Sequence, residues 1–190
     1  RRDRTAGPTH EYIDPVRYIS NPSSGKMGYA IAKAAWYRGA DVTLVSGPVS
    51  LQRPEGVRVI DVVSADQMYE ACVREAPAMD IIIKAAAVGD FRAEEEMKQK
   101  IKRRDGEPLT VTLVQNRDIA AELGKMKRED QLLVGFAAET EDLVELPHVD
   151  DQTVAHDLAG ERSAGPPRNE PQPMLAGVKP ARPHLSLTHI

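Results

Sequence analysis

Helical and strand-like hydrophobic patterns alternate over the first half of the chain. Apolar residues recur at spacings of three and four after Met27, which predicts a helix that ends at Gly39. A second helix is predicted from Ser64, which forms a capping box with Gln67, to about Arg74. Runs rich in β-branched or other apolar residues predict strands at 41–45, 57–63 and 80–88. Strands and helices therefore follow one another in strict alternation.

This order predicts an α/β fold, a Rossmann-like doubly wound and mostly parallel sheet. A chain of 190 residues is long enough for one such domain with a full core. In sheets of this kind, ligands bind beyond the carboxyl ends of the strands. Candidate chemistry is therefore sought in the loops that follow the strands.

The loop from Ser20 to Gly28 is the first candidate, because it is rich in serine and glycine and leads directly into the first predicted helix. Free backbone N–H groups and the helix dipole favour an anion such as a phosphate or carboxylate at this place. The alternative is that Ser23, Ser24 and Gly25 merely cap the helix. The loop has neither the P-loop nor the dinucleotide G-x-G-x-x-G pattern.

A second candidate is a basic stretch that follows Asp90. The segments 100–102 and 109–114 flank Asp105 and Gly106, which predicts a β-hairpin extension. An ordinary solvated hairpin is one interpretation. Beside an anion loop, its lysines would instead hold a triphosphate, and Asp90 would be a partner for hydrated Mg²⁺.

The last patterned segments are a helix from Asn116 to Lys127, predicted with an asparagine cap, and a strand at 132–140. Small residues around Phe136 leave room for a flat group, and this ring would either stack on a base or pack in the core. The single cysteine, Cys72, lies in a helical pattern and is expected to be a core residue.

Charge and composition limit the function classes. The net charge of -4 gives no general attraction to nucleic acid or to anionic membranes. The sequence contains no apolar run of membrane-spanning length and no secretory leader pattern, so we expect no nucleic-acid or membrane partner and a cytoplasmic location.

Six short motifs follow one another along the chain: TAGPT (5–9), DPVRYISN (14–21), SSGKMG (23–28), AAAVGDF (85–91), KIK (100–102) and GFAAET (135–140). Together and in this order they closely resemble the bacterial phosphopantothenate-cysteine ligase, the synthetase half of the bifunctional coenzyme A biosynthesis protein. The resemblance covers about residues 5–145.

The resemblance implies an enzyme that uses CTP and Mg²⁺ to convert the carboxylate of 4'-phosphopantothenate into an acyl-cytidylate, with release of pyrophosphate. Cysteine then attacks the activated carbonyl, which forms an amide and releases CMP. The family is dimeric, so a homodimer is expected. The alternatives are a nucleotide-binding fragment without turnover and, less favoured because the glycine fingerprint is missing, a Rossmann oxidoreductase.

The resemblance also assigns residues. Asn21 matches the asparagine that handles the acyl-cytidylate, and Asp90 matches a nucleotide- or metal-facing aspartate. Positions matching substrate or phosphate contacts are Gly7, Thr9, Arg17, Ser23, Ser24, Gly25, Gly28 and Ala87. Positions matching CTP contacts are Lys84, Ala85, Ala86, Asp90, Lys100, Arg117, Asp118, Ile119, Ala120 and Phe136. The family usually has proline in place of Arg117 and valine in place of Ala120.

Both ends depart from the family pattern. Residues 1–4 are too polar for the apolar strand that is expected before Thr5, and residues 146–190 form an irregular, proline-rich tail. Two family lysines fall where Asp150 and Val154 stand, and we expect the adjoining sheet strand to be lost. A shifted reading frame or a gene fragment would explain both ends, and a divergent tail is the alternative. No flavin-binding decarboxylase half is recognised.

Overall fold

A computed structural model describes residues 2–103, 106–137 and 155–157. Its centre is a six-stranded sheet. The strands of this sheet are β1 (Arg2–Ala6), β4 (Val42–Ser46), β5 (Arg58–Asp61), β6 (Ile81–Ala85), β9 (Leu132–Ala137) and β10 (Ala155–Asp157). They lie in the order β10-β9-β6-β1-β4-β5, and every neighbouring pair is parallel. The predicted Rossmann-like α/β fold is confirmed.

Helices cover both faces of the sheet, because alternate strand residues point to opposite sides. Val42 and Leu44 of β4 pack in one cluster with α1 (Lys26–Tyr37). Val45, the residue after Leu44, packs in the other cluster with α2 (Ala65–Glu75) and α3 (Ile119–Met126). The doubly wound arrangement thus follows directly from the apolar content of the buried strands.

The first strand corrects one expectation. Residues 2–6 form β1, which lies between β4 and β6 in the middle of the sheet, although their polarity argued against a strand. The side chains of Asp3 and Arg4 are only 1% exposed. Backbone pairing on both sides outweighs the polarity of the side chains, and burial, together with the nearby Glu75, raises the pKa of Asp3.

Side-chain caps begin the second and third helices, and one of the two was predicted correctly. The predicted capping box between Ser64 and Gln67 is present at α2. The predicted asparagine cap of α3 is wrong, because Asp118 is the cap residue and accepts a hydrogen bond from Ala121 N at 2.9 Å. The side-chain amide of Asn116 instead donates a hydrogen bond to Gly89 O at 2.7 Å. This bond holds the segment before α3 against the loop that follows β6.

Two antiparallel pairs lie outside the main sheet, namely β2 (Glu11–Asp14) with β3 (Arg17–Ile19) and β7 (Phe91–Ala93) with β8 (Leu113–Gln115). The predicted hairpin between 100–102 and 109–114 is wrong, since β8 pairs with 91–93. The N–H and C=O of Ile101 bond to the side chains of Asp14 and Arg17, so neither group joins a strand ladder. Asp105 lies outside the described residues.

The expected loss of the strand beyond β9 is also wrong. β10 pairs with β9 in parallel, so that His156 lies opposite Phe136. Most of the tail, with positions 150 and 154, lies outside the described residues, and the expected domain boundary at residue 145 stays a prediction. Within the described part of the chain, no helix combines the length and apolar character needed to cross a membrane.

Candidate functional site

Four loops converge at the carboxyl ends of β1, β4 and β6. The end of β1 accepts hydrogen bonds from the loops after the two neighbouring strands. Gly47 N, after β4, donates to Ala6 O at 2.8 Å, and Ala87 N, after β6, donates to Gly7 O at 3.0 Å. The segment 20–25 joins them, because Ser20 Oγ donates to Thr9 O at 2.8 Å. The loops that were predicted to carry the site therefore meet at this edge of the sheet.

Glycines allow these loops to touch. Gly7 and Gly25 both have a positive φ, +78° and +70°, and a Cβ on either would lie 2.7 Å from Val49 Cγ1. A Cβ on Gly28 would lie 2.6 Å from the Cβ of Ala6, so α1 packs directly on the end of β1. Three glycines that were predicted as substrate or phosphate contacts thus set the close approach of the helix start to the sheet.

The start of α1 is not closed by a serine cap. Gly25 is the cap residue and makes no side-chain cap hydrogen bond. Ser23 Oγ accepts from Gly25 N at 3.4 Å and Ser24 Oγ accepts from Lys26 N at 3.5 Å, both at the limit for a hydrogen bond. This geometry favours the anion-loop interpretation over the simple cap, because the first N–H groups of the helix keep a weak local partner that an anion would replace.

An open cleft of about 610 Å³ borders this loop. The ring of His10 stacks on Tyr18 with centroids 3.8 Å apart and forms a flat wall. Neither ring was a sequence-predicted site residue. The cleft is lined by Pro8, His10, Tyr18, Ser20, Asn21, Pro22, Ser23, Ser24, Lys26, Pro48, Val49, Ser50 and Leu51.

Asn21 lies between this cleft and the loop after β6. Its side-chain Nδ2 donates to Val88 O at 3.0 Å, and the residue is exposed. An amide nitrogen carries two hydrogens, so it has a second N–H for another acceptor. Asn21 is thus oriented by the backbone and has the chemistry to hold a carbonyl oxygen.

The turn at Gly89 and Asp90 is fixed from two sides. Buried Thr9 accepts a hydrogen bond from Gly89 N at 2.8 Å, and Asn116 N donates to Asp90 O at 2.7 Å. Asn116 also holds Gly89 O through its side chain, as noted above. Sequence analysis missed this role of Asn116, whose only signal was a polar residue immediately after a strand. Asp90 is thus an exposed residue on a turn whose backbone is held by hydrogen bonds.

The residues predicted to surround cytidine come from β6, β9 and the start of α3. Lys84 is 3% exposed and lies opposite Gly135 of β9. Burial lowers the pKa of Lys84 to about 8, while the Asp118 carboxylate acts in the opposite direction. Ala85 and Ala86 are buried beside it, and Phe136 is partly buried.

The four residues 117–120 differ in burial and in their contacts. Arg117 donates to Asp66 Oδ1 and to Glu70 Oε1 of α2, and its guanidinium lies 3.7 Å from the centre of the Tyr69 ring. These carboxylates raise its pKa above the ordinary value. Ile119 is in the core, whereas Ala120 is half-buried. The roles of all four as CTP contacts stay predictions.

Arg17 is linked to Lys100 through the backbone of the adjoining residue, Ile101. Arg17 pairs with the buried Asp14, and its guanidinium also donates to Ile101 O at 3.2 Å. Lys100, next to Ile101, is exposed. The structure therefore links these two predicted site residues, although it engages the Arg17 side chain with protein groups.

The donor set suits a weakly held Mg²⁺ more than a closed metal centre. Asp90 is exposed, and across the described ranges no group of three or more His, Cys, Asp or Glu side chains converges on a metal position. Mg²⁺ in nucleotide sites commonly takes one or two carboxylates and several phosphate and water oxygens. A single carboxylate at a fixed turn fits that mode of binding.

Residues 4–157 match the family described as the C-terminal domain of DNA/pantothenate metabolism flavoproteins. The chain belongs to this family. The bifunctional coenzyme A biosynthesis protein CoaBC of Vibrio cholerae serotype O1 is 54% identical over 140 residues, which are 73% of this chain and 35% of that protein. The chain thus spans about a third of the length of the curated relatives that it matches.

Solved structures agree with this assignment. The C-terminal domain of CoaBC superposes with a TM-score of 0.63 at 46% identity, covering 73% of this chain and 64% of that one. A Cab2 mutant in complex with phosphopantothenate-cysteine has a TM-score of 0.62 at 18% identity, covering 74% of this chain and 64% of that one, and supports the fold alone. The resemblance drawn from the six motifs is confirmed.

Proposed function

We propose that this chain joins 4'-phosphopantothenate to cysteine and uses CTP to activate the acid. The observation that carries the proposal is the convergence of the anion loop, Asn21 and the Asp90 turn at one edge of the sheet. Family membership and 54% identity to a CoaBC protein support the same ligase class. Coenzyme A biosynthesis is then the process in which the chain acts.

In the first step, a carboxylate oxygen of 4'-phosphopantothenate attacks the α-phosphorus of CTP, and the bond to the β-phosphate oxygen breaks to release pyrophosphate. The N–H groups at the start of α1, with Ser23 and Ser24, would hold phosphate oxygens. Lys100 would place a positive charge beside the triphosphate. Gly7, Gly25 and Gly28 allow the backbone to approach the anion closely. Thr9 and Ala87 support the floor of the site.

Mg²⁺ would be held by Asp90 and by phosphate oxygens, and it would neutralise charge that accumulates on the leaving pyrophosphate. The chain's own contribution is the rigid turn, since Gly89 is bonded to Thr9 and to Asn116. A fixed carboxylate needs no reorganisation when the triphosphate arrives.

In the second step, the cysteine amine attacks the acyl carbon, the carbon–oxygen bond to CMP breaks, and the amine loses a proton. Negative charge develops on the carbonyl oxygen during this attack. The amide of Asn21, oriented by Val88 O, would donate a hydrogen bond to that oxygen without presenting a competing negative charge.

The base of CTP would bind at the ends of β6 and β9, between Lys84 to Ala86 and Phe136. Lys84 lies beside Asp118, which supports its charged form. Gly135 has open space where a Cβ would lie, so a flat ring meets no obstacle there. Arg117 would act indirectly, since it ties the start of α3 to α2.

A homodimer is part of the proposal. The β2–β3 hairpin exposes the large apolar side chains of Val16 and Tyr18, and the neighbouring β7–β8 pair exposes those of Phe91 and Leu113. Large apolar side chains exposed on neighbouring elements are a common feature of protein interfaces. Sedimentation analysis tests the dimer. The unaltered chain is expected to sediment as a dimer, and the double variant Val16→Glu with Phe91→Glu as a monomer. An unaltered chain that sediments as a monomer would contradict the proposed homodimer. A cytoplasmic location is proposed with it.

The alternative is a nucleotide-binding chain without full turnover. It is favoured by one observation, that Asp150 and Val154 stand where the family has two lysines. A single-turnover assay separates the two functions. Formation of the amide product supports the ligase, whereas acyl-cytidylate that accumulates without amide, even with excess cysteine, supports the impaired form.

A further inference from the structure

Residues 97–102 carry the predicted phosphate lysine but have no regular structure of their own. The segment is attached to the β2–β3 hairpin at two places. Met97 N donates to Ile13 O at 2.9 Å, and Ile101 N donates to Asp14 Oδ2 at 3.0 Å. The position of Lys100 between these two attachments therefore depends on the hairpin.

Asp14 is the centre of the second attachment. Its side chain is fully buried, and Oδ1 accepts hydrogen bonds from Val16 N and from Arg17 N, both at 2.9 Å. Oδ2 accepts from Ile101 N and from the Arg17 guanidinium, which continues to Ile101 O at 3.2 Å. One carboxylate thus fixes the hairpin turn and the lysine-bearing segment at the same time.

Resting on the proposed function, we propose that Asp14 is the positioning residue that holds residues 97–102 so that Lys100 meets the triphosphate. Asp14 is not a catalytic residue, because its carboxylate is enclosed by protein donors. Charge-assisted hydrogen bonds to a buried carboxylate are strong and directional, so they can order a segment that has no ladder bonds. Lys100 then reaches the phosphates without first ordering its backbone.

The test compares Asp14→Ala with Asp130→Ala. Asp130 also pairs with an arginine, Arg128, but is exposed and lies just before β9, at the opposite edge of the sheet. Calorimetric titration with CTP and with CMP, each with Mg²⁺, measures the contribution of the two outer phosphates. Asp14→Ala is expected to weaken CTP about tenfold and to leave CMP within about twofold, and Asp130→Ala to change neither.

A double-mutant cycle shows whether Asp14 acts through the lysine. If it does, Asp14→Ala combined with Lys100→Ala binds CTP no more weakly than Lys100→Ala alone. Limited trypsin digestion is a second readout, because Lys98, Lys100 and Lys102 are exposed. Cleavage after them is expected to accelerate about tenfold in Asp14→Ala at a temperature well below the melting temperature of this variant.

If Asp14→Ala does not fold, Asp14→Asn takes its place, because it keeps the shape and one acceptor oxygen while it presents an N–H to one of the former donors. Equal weakening of CTP and CMP, or additive effects in the cycle, would overturn the inference and leave the proposed function standing. Failure of the unaltered chain to bind CTP would contradict the proposed function itself.

Discussion

The anion loop at 20–28 and the lysine segment at 97–102 are built in opposite ways. The loop is held by close backbone packing, where Gly7, Gly25 and Gly28 leave room for no side chain. The lysine segment is held by the side chain of Asp14, which bonds to backbone groups 87 residues away. Close packing of glycine backbones leaves no space for an added side chain, so a larger residue at these positions disrupts the loop. The lysine segment instead depends on one carboxylate, so it is released when Asp14 is replaced.

The largest expected effect comes from filling the packed region. Gly47→Ala would place a Cβ 1.8 Å from the carbonyl oxygen of Pro8, a backbone atom that cannot rotate away. We expect a loss of about 3 kcal/mol or more in the free energy of unfolding, measured by urea denaturation. Gly124→Ala is the matched control, because its Cβ meets nothing within 4 Å and a helical alanine should stabilise by up to about 1 kcal/mol. Equal effects of the two changes would contradict the packing account.

Asn21→Asp comes next and concerns chemistry rather than folding. A carboxylate near the acyl carbonyl would repel the negative charge that develops during the attack of cysteine. We expect CTP binding to be largely retained and the barrier to amide formation to rise by about 3 kcal/mol. Rapid-quench measurement of amide and CMP checks this, and an unchanged rate of amide formation would remove Asn21 from the mechanism.

Lys84→Met should stabilise the fold while it weakens CTP binding. Burial holds the folded-state pKa of Lys84 at about 8, below its unfolded value, so the unfolded chain binds more protons between these two values. Stability therefore rises with pH over this window, and removing the amine gives a gain on the order of 2 kcal/mol at neutral pH. Urea unfolding should show the full gain in stability of Lys84→Met at about pH 7 and a smaller gain at about pH 10. The exposed Lys33→Met serves as control, and a destabilised Lys84→Met would contradict the prediction.

The smallest expected effect is the acid release of the lysine segment. Burial alone would raise the pKa of Asp14, but hydrogen bonds from the Val16, Ile101 and Arg17 backbones, together with the Arg17 charge, leave that pKa below its ordinary value. The stabilising contribution is thus complete above the ordinary aspartate pKa and is lost as the pH falls through the lower folded-state pKa. The NMR chemical shift of the Ile101 amide and its protection factor against hydrogen exchange should change only in that acidic range. A change near neutral pH would show that another group controls the segment.

Sequence patterns predicted the sheet, the capping box at α2 and the serine- and glycine-rich loop that leads into α1, because each depends on local periodicity or on a fixed spacing. They failed at β1, where pairing to two neighbours outweighs the polarity of Asp3 and Arg4. They also failed at 100–102, since Asp105-Gly106 indicates a hairpin but carries no information about Asp14. Asn116 was mistaken for a cap for the same reason, because its partner Gly89 is distant in sequence.

The central claim is that the converging loops activate a carboxylate with CTP. The most direct measurement incubates the chain with CTP, Mg²⁺ and 4'-phosphopantothenate in the absence of cysteine, and follows pyrophosphate and cytidylate products within one turnover. The account predicts pyrophosphate together with an acyl-cytidylate, which is converted to amide and CMP when cysteine is added. Binding of NAD in preference to CTP, with no pyrophosphate released, would contradict it.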